Sequence, residues 1–368
     1  MGKLLDYIRW RGDLTFEQCP FNPLDAAVFT QLVMLDLTGV ADVEKGISIK
    51  NAFKKYIDKG YRIEDPVGLL ISNNVHFMFK DIANSKRYQD LVLYDYEKVY
   101  SEEPPCQFNA LTIKLDDFVV VSYAGTDDTI VGWHEDFQLL YLDEIPSHRY
   151  ALKYLNNVSH KFHKKLILCG HSKGANLAMN SMLQAEHKIC KKILGVYCFD
   201  GPGINKKLYD KVKISDRLEK IVSYIPYRSS IGKLFDHYEE YKIVDSSANL
   251  LFQHDLFTWH LLRNDFIYKE EVSPDSTYMD EHLKKLISNL DARQSETFVN
   301  SLFKVFYMTG SKTLLELVKN KGRILPGVVK LNKDEKVLFN DIILKGILSD
   351  ARMRKILLGV FIERDNIK

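Results

Sequence analysis

An open, mostly parallel β-sheet with helices on both faces is the architecture predicted for this chain, and three observations carry it. Short apolar and β-branched runs alternate with helical stretches between Phe118 and Val244. One stretch, Lys165-Leu-Ile-Leu-Cys-Gly-His-Ser-Lys-Gly-Ala-Asn-Leu-Ala178, reads as strand, sharp turn and helix with a serine at the apex. Three groups capable of chemistry, Thr126, Ser172 and Asp200, fall at the ends of strand-like runs, where sheets of this kind place their sites.

The central stretch contains Gly170-x-Ser172-x-Gly174, a nucleophile-elbow pattern. A serine held on so tight a turn crowds its neighbours. Residues without a side chain on either side let strand and helix pass close together. The helix that follows points its first N–H groups toward whatever the serine attacks.

Length and composition bound the remaining possibilities. With 368 residues, 46% of them hydrophobic, the chain can bury a large core. Its 51 Lys plus Arg against 49 Asp plus Glu give no global field that would attract nucleic acid or an anionic membrane, and Lys319 to Arg323 read as a solvated helix end. Five scattered cysteines without CxxC spacing read as small buried hydrophobes in a reducing compartment. No window reaches membrane-span length and the first residues lack an apolar leader, so a cytoplasmic protein is expected. No HxxxH, HxH or Cys/His cluster has ligand spacing, so neither a metal nor another cofactor is called for.

Taken in order, residues 1–104 are expected to be mainly helical and packed on the core. Asn22-Pro23 is an N-cap followed by proline at the first helical position, and Leu24, Ala27, Val28, Leu32 and Leu35 recur at helical spacing up to a stop at Gly39. Ser48 to Lys59, closed by Gly60, repeats the pattern. The charged group Asp6, Arg9, Arg11 and Asp13 reads as surface or as a salt-bridged join to the main domain.

Residues 105–269 are expected to form the α/β core. Gln107 to Lys114 and Phe118 to Tyr123 read as an antiparallel hairpin around Asp116-Asp117. A helix from about Ser147 to Asn156 leads into the elbow strand. Leu194 to Phe199, Glu219 to Ile225 and Glu240 to Val244 supply further strands. Residues 270–368 return to helical periodicity, with Leu283, Leu286 and Leu290, then Phe298, Leu302, Val305 and Phe306, broken by Gly310 and Pro326.

Acyl transfer by a serine needs a base, a group that orients the base, and N–H donors where the oxyanion forms. In α/β-hydrolases the chain order is serine, acid, histidine. After Ser172 come His187, His237, His254, His260 and His282. His254 lies in a polar Gln-His-Asp set inside an apolar stretch just beyond the last main strand, where that fold places its base, and it is favoured over His237 and His260.

Tyr123-Ala-Gly-Thr-Asp, Gly132-Trp133, Asp136 and Gly170-His-Ser-Lys-Gly together resemble the motif series of the class 3 (fungal-type) lipases. With Gln107-Phe108, Glu135-Asp-Phe, Phe199-Asp-Gly-Pro-Gly203 and Gln253-His-Asp added, the chain resembles a bacterial α/β-hydrolase-like family of unknown function, over nearly its whole length. The resemblance implies an α/β-hydrolase fold with helical additions at both ends. It implies an oxyanion hole built from Thr126 and the Lys173 backbone N–H. It implies a serine hydrolase that cleaves a small-molecule or lipid ester through an acyl-enzyme on Ser172. A non-catalytic scaffold on the same fold, or a thioesterase or amidase with the same residues, is the alternative. Two departures stand out. Ala124 replaces the usual arginine, removing an ionic tie, and the position of the lipase acid is here Ser223-Tyr-Ile-Pro226. Asp200 is the expected substitute, with Asp236 and Asp245 open and a turn-capping role for Asp200 the competing reading.

Overall fold

A computed structural model describes residues 1–42, 44–212 and 215–356, so 357–368 of the expected helical C-terminal region lie outside the described residues. The first elements are α1 (Leu4–Arg11), α2 (Pro23–Leu32), the short strand β1 (Ile47–Ser48), α3 (Ile49–Asp58) and α4 (Asn74–Ala83). Strands β2 (Val92–Glu102), β3 (Pro105–Lys114) and β4 (Phe118–Tyr123) follow, then α5 (Ile130–Gln138) and α6 (Pro146–Lys161). Next come β5 (Lys165–His171), α7 (Lys173–Gln184), α8 (His187–Cys190), β6 (Ile193–Phe199), α9 (Lys206–Val212), α10 (Ser215–Leu218), β7 (Ile221–Pro226) and β8 (Glu240–Val244). Three two-residue strands, β9 (Leu261–Leu262), β10 (Asp265–Phe266) and β11 (Tyr268–Lys269), precede α11 (Pro274–Ser288), α12 (Ala292–Met308), α13 (Leu314–Lys319), α14 (Ile324–Val329) and α15 (Lys333–Phe339).

The main sheet has nine strands in the order β1-β2-β3-β4-β5-β6-β7-β8-β11. Its centre, β4 through β8, is parallel. The β1 to β4 side is antiparallel, and so is the β8/β11 edge. This is the α/β-hydrolase type of architecture the sequence predicts, a parallel centre widened by antiparallel margins. One apolar layer joins α1 to α4 to one face, through residues such as Phe29, Leu32 and Phe79. The other face is covered by α6 and α7 through Leu155, Leu177 and Met182. All five cysteines are buried and unbonded.

Local chemistry explains where the helices start. The Asn22 side chain accepts the Leu24 N–H at 2.9 Å while Asp25 accepts the Asn22 N–H at 3.0 Å, so two orphan donors of α2 are satisfied reciprocally. The helix ends at Leu32 rather than near Gly39, whose φ of +68° serves a later turn. Asp25 and Arg87 are wholly buried and pair at 2.6 Å, and both Tyr7 and Tyr88 donate hydroxyls to the same carboxylate. In the charged N-terminal group, Arg9 pairs with Asp81 of α4 at 2.7 Å and Arg11 reaches Asn264 at 3.2 Å.

Strand β2 is an eleven-residue exception to the mainly helical reading of residues 1–104. Its alternation is masked by Asp95, Glu97 and Lys98, and a bulge between Tyr94 and Glu97, with Asp95 at φ +54°, shifts the register midway.

Candidate active site

Ser172 has φ +57° and ψ −131°, a conformation that costs a non-glycine residue energy and that the flanking packing must impose. The two motif glycines allow that packing. A Cβ on Gly170 would overlap the Gly174 carbonyl, and one on Gly174 would strike the Tyr123 carbonyl at the end of β4. The Ser172 N–H is tied to Phe199 O at 2.9 Å, and its carbonyl accepts the Ala175 N–H at 3.0 Å. Among the described residues nothing hydrogen-bonds its hydroxyl. Ser172 lines a cavity of about 30 Å³ with Gly125, Thr126, Asp128, His171 and His254. That is space for about two waters.

Strands β4, β5 and β6 are neighbours in the sheet, so the residues just past their carboxyl ends converge. His254 closes a 3₁₀ turn (Leu250–His254) after β8, and its Nδ1 lies 2.7 Å from Asp200 Oδ2. The other Asp200 oxygen accepts the Ser229 hydroxyl at 2.6 Å and the Gly232 N–H at 3.0 Å. Both donors come from the loop after β7, just beyond the Ser223-Tyr-Ile-Pro226 stretch. Asp200 itself has φ +40°. The other candidates are engaged separately. Asp245 meets His260 at 2.8 Å, His237 meets Glu239 at 2.7 Å, and Asp236 accepts the Tyr238 hydroxyl at 3.2 Å.

His171 was not singled out by the sequence, although it stands inside the motif. Its Nε2–H donates to the His254 carbonyl at 2.8 Å, its Nδ1 receives Gln31 Nε2 at 3.4 Å, and its ring centroid lies 4.4 Å from that of His254. Burial, and then the neighbouring His254, hold it well below the ordinary imidazole range, so it is a neutral brace for the His254 backbone.

Neither the Thr126 N–H nor the Lys173 N–H has an acceptor among the described residues, and Lys173 opens α7, whose dipole favours negative charge there. The Thr126 hydroxyl, however, donates to Asp136 Oδ2. The Lys173 side chain is a feature the sequence left unexplained. It is buried, with Nζ 2.8 Å from both Gln107 oxygens, 3.1 Å from Glu135 and 3.5 Å from Asp136. Burial opposes its charge, but Glu135 and Asp136 outweigh it and leave its pKa above the ordinary value. Burial pushes the Asp136 carboxyl up to about 6 against the pull of Lys173 and Thr126. The Gln107 side chain, held by Lys173, also receives the Asp127 N–H at 3.3 Å. An ionic anchor for this loop therefore exists, supplied from α7 instead of position 124.

The cavity's remaining wall includes Leu70, Ile71 and Ser72 from the stretch between α3 and α4, and the Leu69 N–H donates to Asp128 at 2.6 Å. Asp255, next to His254, also lines it, and burial raises that carboxyl to about 6. No helix among the described residues is long and apolar enough to cross a membrane.

Comparison with known proteins gives one family and several distant structural likenesses. The native Rhizomucor miehei lipase propeptide complex overlaps 61% of this chain and 68% of its own at 10% identity and a TM-score of 0.32. A fungal lipase–inhibitor complex, described as a model for interfacial activation in lipases, overlaps 62% and 81% at 12% identity and a TM-score of 0.37. M37 lipase overlaps 58% and 70% at 15% identity and a TM-score of 0.32. No curated protein matches in sequence. The family model described as Mbeg1-like matches residues 82–304, more than half of the sequence and every residue of the site just described except Gln31 and the Leu69–Ser72 stretch, and the chain belongs to that Mbeg1-like family.

Proposed function

We propose that this protein is a serine hydrolase that cleaves a carboxylic ester of a small molecule or lipid through an acyl-enzyme on Ser172. One observation carries the reading. The Asp200–His254 hydrogen bond of 2.7 Å belongs to a histidine that shares a narrow cavity with a serine strained into a left-handed turn. In the proposed mechanism Asp200 accepts the Nδ1–H of His254, so Nε2 carries the free lone pair and takes the proton of Ser172 as its Oγ attacks the ester carbonyl. The oxyanion is met by the N–H groups of Lys173 and Thr126. His254 then protonates the leaving alcohol, and water repeats the sequence to release the acid. Lys173, Glu135 and Asp136 position the Thr126 loop without touching substrate.

Leu70, Ile71 and Ser72 line the same cavity, so the acyl part of a substrate would meet that wall. Hydrolysis of short p-nitrophenyl esters by the protein and by Ser172→Ala tests the proposal. Turnover by the protein and its absence in the variant are expected, whereas equal rates would remove the serine from the reaction.

A further inference from the structure

The helices α13 to α15 carry a feature that the site chemistry does not use. On α14 one face is packed, with Gly327 buried against Val305 of α12 and Leu331 buried just beyond. The opposite face is bare: Leu325 is 71% exposed and Val329, four residues on and therefore on the same side, is 65% exposed. Val337 on α15 is 52% exposed. Isolated exposed apolar residues need no explanation, but here they stand in a stretch of chain dense in cations.

Between residues 319 and 336 the chain places Lys319, Lys321, Arg323, Lys330, Lys333 and Lys336 against only Asp334 and Glu335, in a protein whose overall charge is +2. Lys319, Lys321, Lys330 and Lys333 are exposed, and none has a carboxylate within 4 Å among the described residues. Glu335 is occupied by Lys304 and by capping α15. The sequence alone reads this run as a solvated helix end. The exposure of Leu325 and Val329 at its centre alters that reading.

We propose that α13 to α15 form a docking surface for an anionic lipid bilayer, with Leu325 and Val329 entering the headgroup boundary and the surrounding lysines meeting lipid phosphates. Charge selects this occupant over a second copy. A two-fold contact through the patch would set the same unpaired lysines against each other, whereas an anionic surface neutralises them. The surface is joined to the cavity already described. Leu314 N–H donates to Asp128 O at 2.8 Å and Leu315 N–H to the Asp128 carboxylate at 3.1 Å, and Asp128 lines the cavity and holds Leu69. The start of α13 is thus tied directly to a residue of the cavity wall. The docking itself does not depend on Ser172 chemistry, and its test reads no hydrolysis.

The test is co-sedimentation of the full chain with phosphatidylcholine vesicles, with and without phosphatidylglycerol, at low and raised salt. Binding only to the anionic vesicles, weakened by salt, is expected. Leu325→Ser with Val329→Ser should abolish it, and Lys321→Gln with Lys330→Gln should weaken it roughly thirty-fold, since each lysine near an anionic surface is worth about a factor of five. Circular dichroism and thermal unfolding should match the parent, because all four side chains are exposed. Absence of vesicle binding, equal binding to neutral vesicles, or indifference to both double variants would overturn the proposal. So would a lipid-free dimer that Leu325→Ser with Val329→Ser dissolves, which would make a second copy the occupant.

Discussion

Replacing Asp200 by asparagine separates the orienting role proposed for this carboxylate from its bulk. One Asp200 oxygen is fixed by two donors, the Ser229 hydroxyl and the Gly232 N–H. The backbone N–H cannot reverse its polarity, so an asparagine must leave its carbonyl oxygen there and turn its NH₂ toward His254. The Nδ1 of His254 then accepts where it formerly donated, across a contact of 2.7 Å in the parent. The ring proton moves to Nε2, and in the proposed mechanism that nitrogen no longer has a lone pair to take the Ser172 proton. The expected loss is up to about 10⁴ in kcat, equivalent to about 5.5 kcal/mol of transition-state stabilisation. Steady-state hydrolysis of p-nitrophenyl esters reads it, with thermal unfolding as the check that the fold is retained. Asp245→Asn is the control, since its partner is His260. A well-folded Asp200→Asn protein within about tenfold of the parent would refute the tautomer argument, and an equal loss in Asp245→Asn would assign the orienting role elsewhere.

Three further outcomes follow from the same contacts. Thr126→Ala should cost less than the ~10²–10³ in rate typical of a side-chain oxyanion donor, because the hydroxyl proton is committed to Asp136 and the backbone N–H survives; kcat of the variant checks this. Since folding raises the Asp136 carboxyl from 3.8 to about 6, the native state keeps a proton that the unfolded chain loses over that interval. Its contribution to stability is present below about pH 4 and declines as pH rises through 6, so the Tm of Asp136→Asn relative to the parent should climb between those values. Asp25→Ala leaves the Arg87 guanidinium buried without its partner and should cost about 3–5 kcal/mol in urea unfolding, with little effect on kcat.

What could be read from the residues alone was whatever is enforced over a few positions. The elbow is of this kind, because only Gly170 and Gly174 permit the approach of β5, α7 and β4, and both lie within two residues of the apex. The α2 cap and strands β5 and β8 are equally local. Strand β2 was not legible, since its bulge and charges break the period on which such readings depend. The partner of His254 stayed open among three aspartates for a different reason. Asp200 and His254 are 54 residues apart, and which carboxylate meets the ring is settled by the loop after β7 folding back through Ser229 and Gly232. Lys173 shows the same limit. A lysine in an otherwise apolar helix start hints at a buried partner, but Glu135 and Asp136 reach it only when α5 is placed against β3.

The account stands most directly on whether Ser172 is a nucleophile, and covalent labelling with a fluorophosphonate measures that without any assumption about substrate. Intact mass followed by peptide mapping should find a single adduct on Ser172, absent in Ser172→Ala and formed far more slowly in His254→Ala, with His237→Ala and His260→Ala labelled at the parental rate. A folded protein that takes no adduct, or takes it on another residue while Ser172 stays free, would contradict the account.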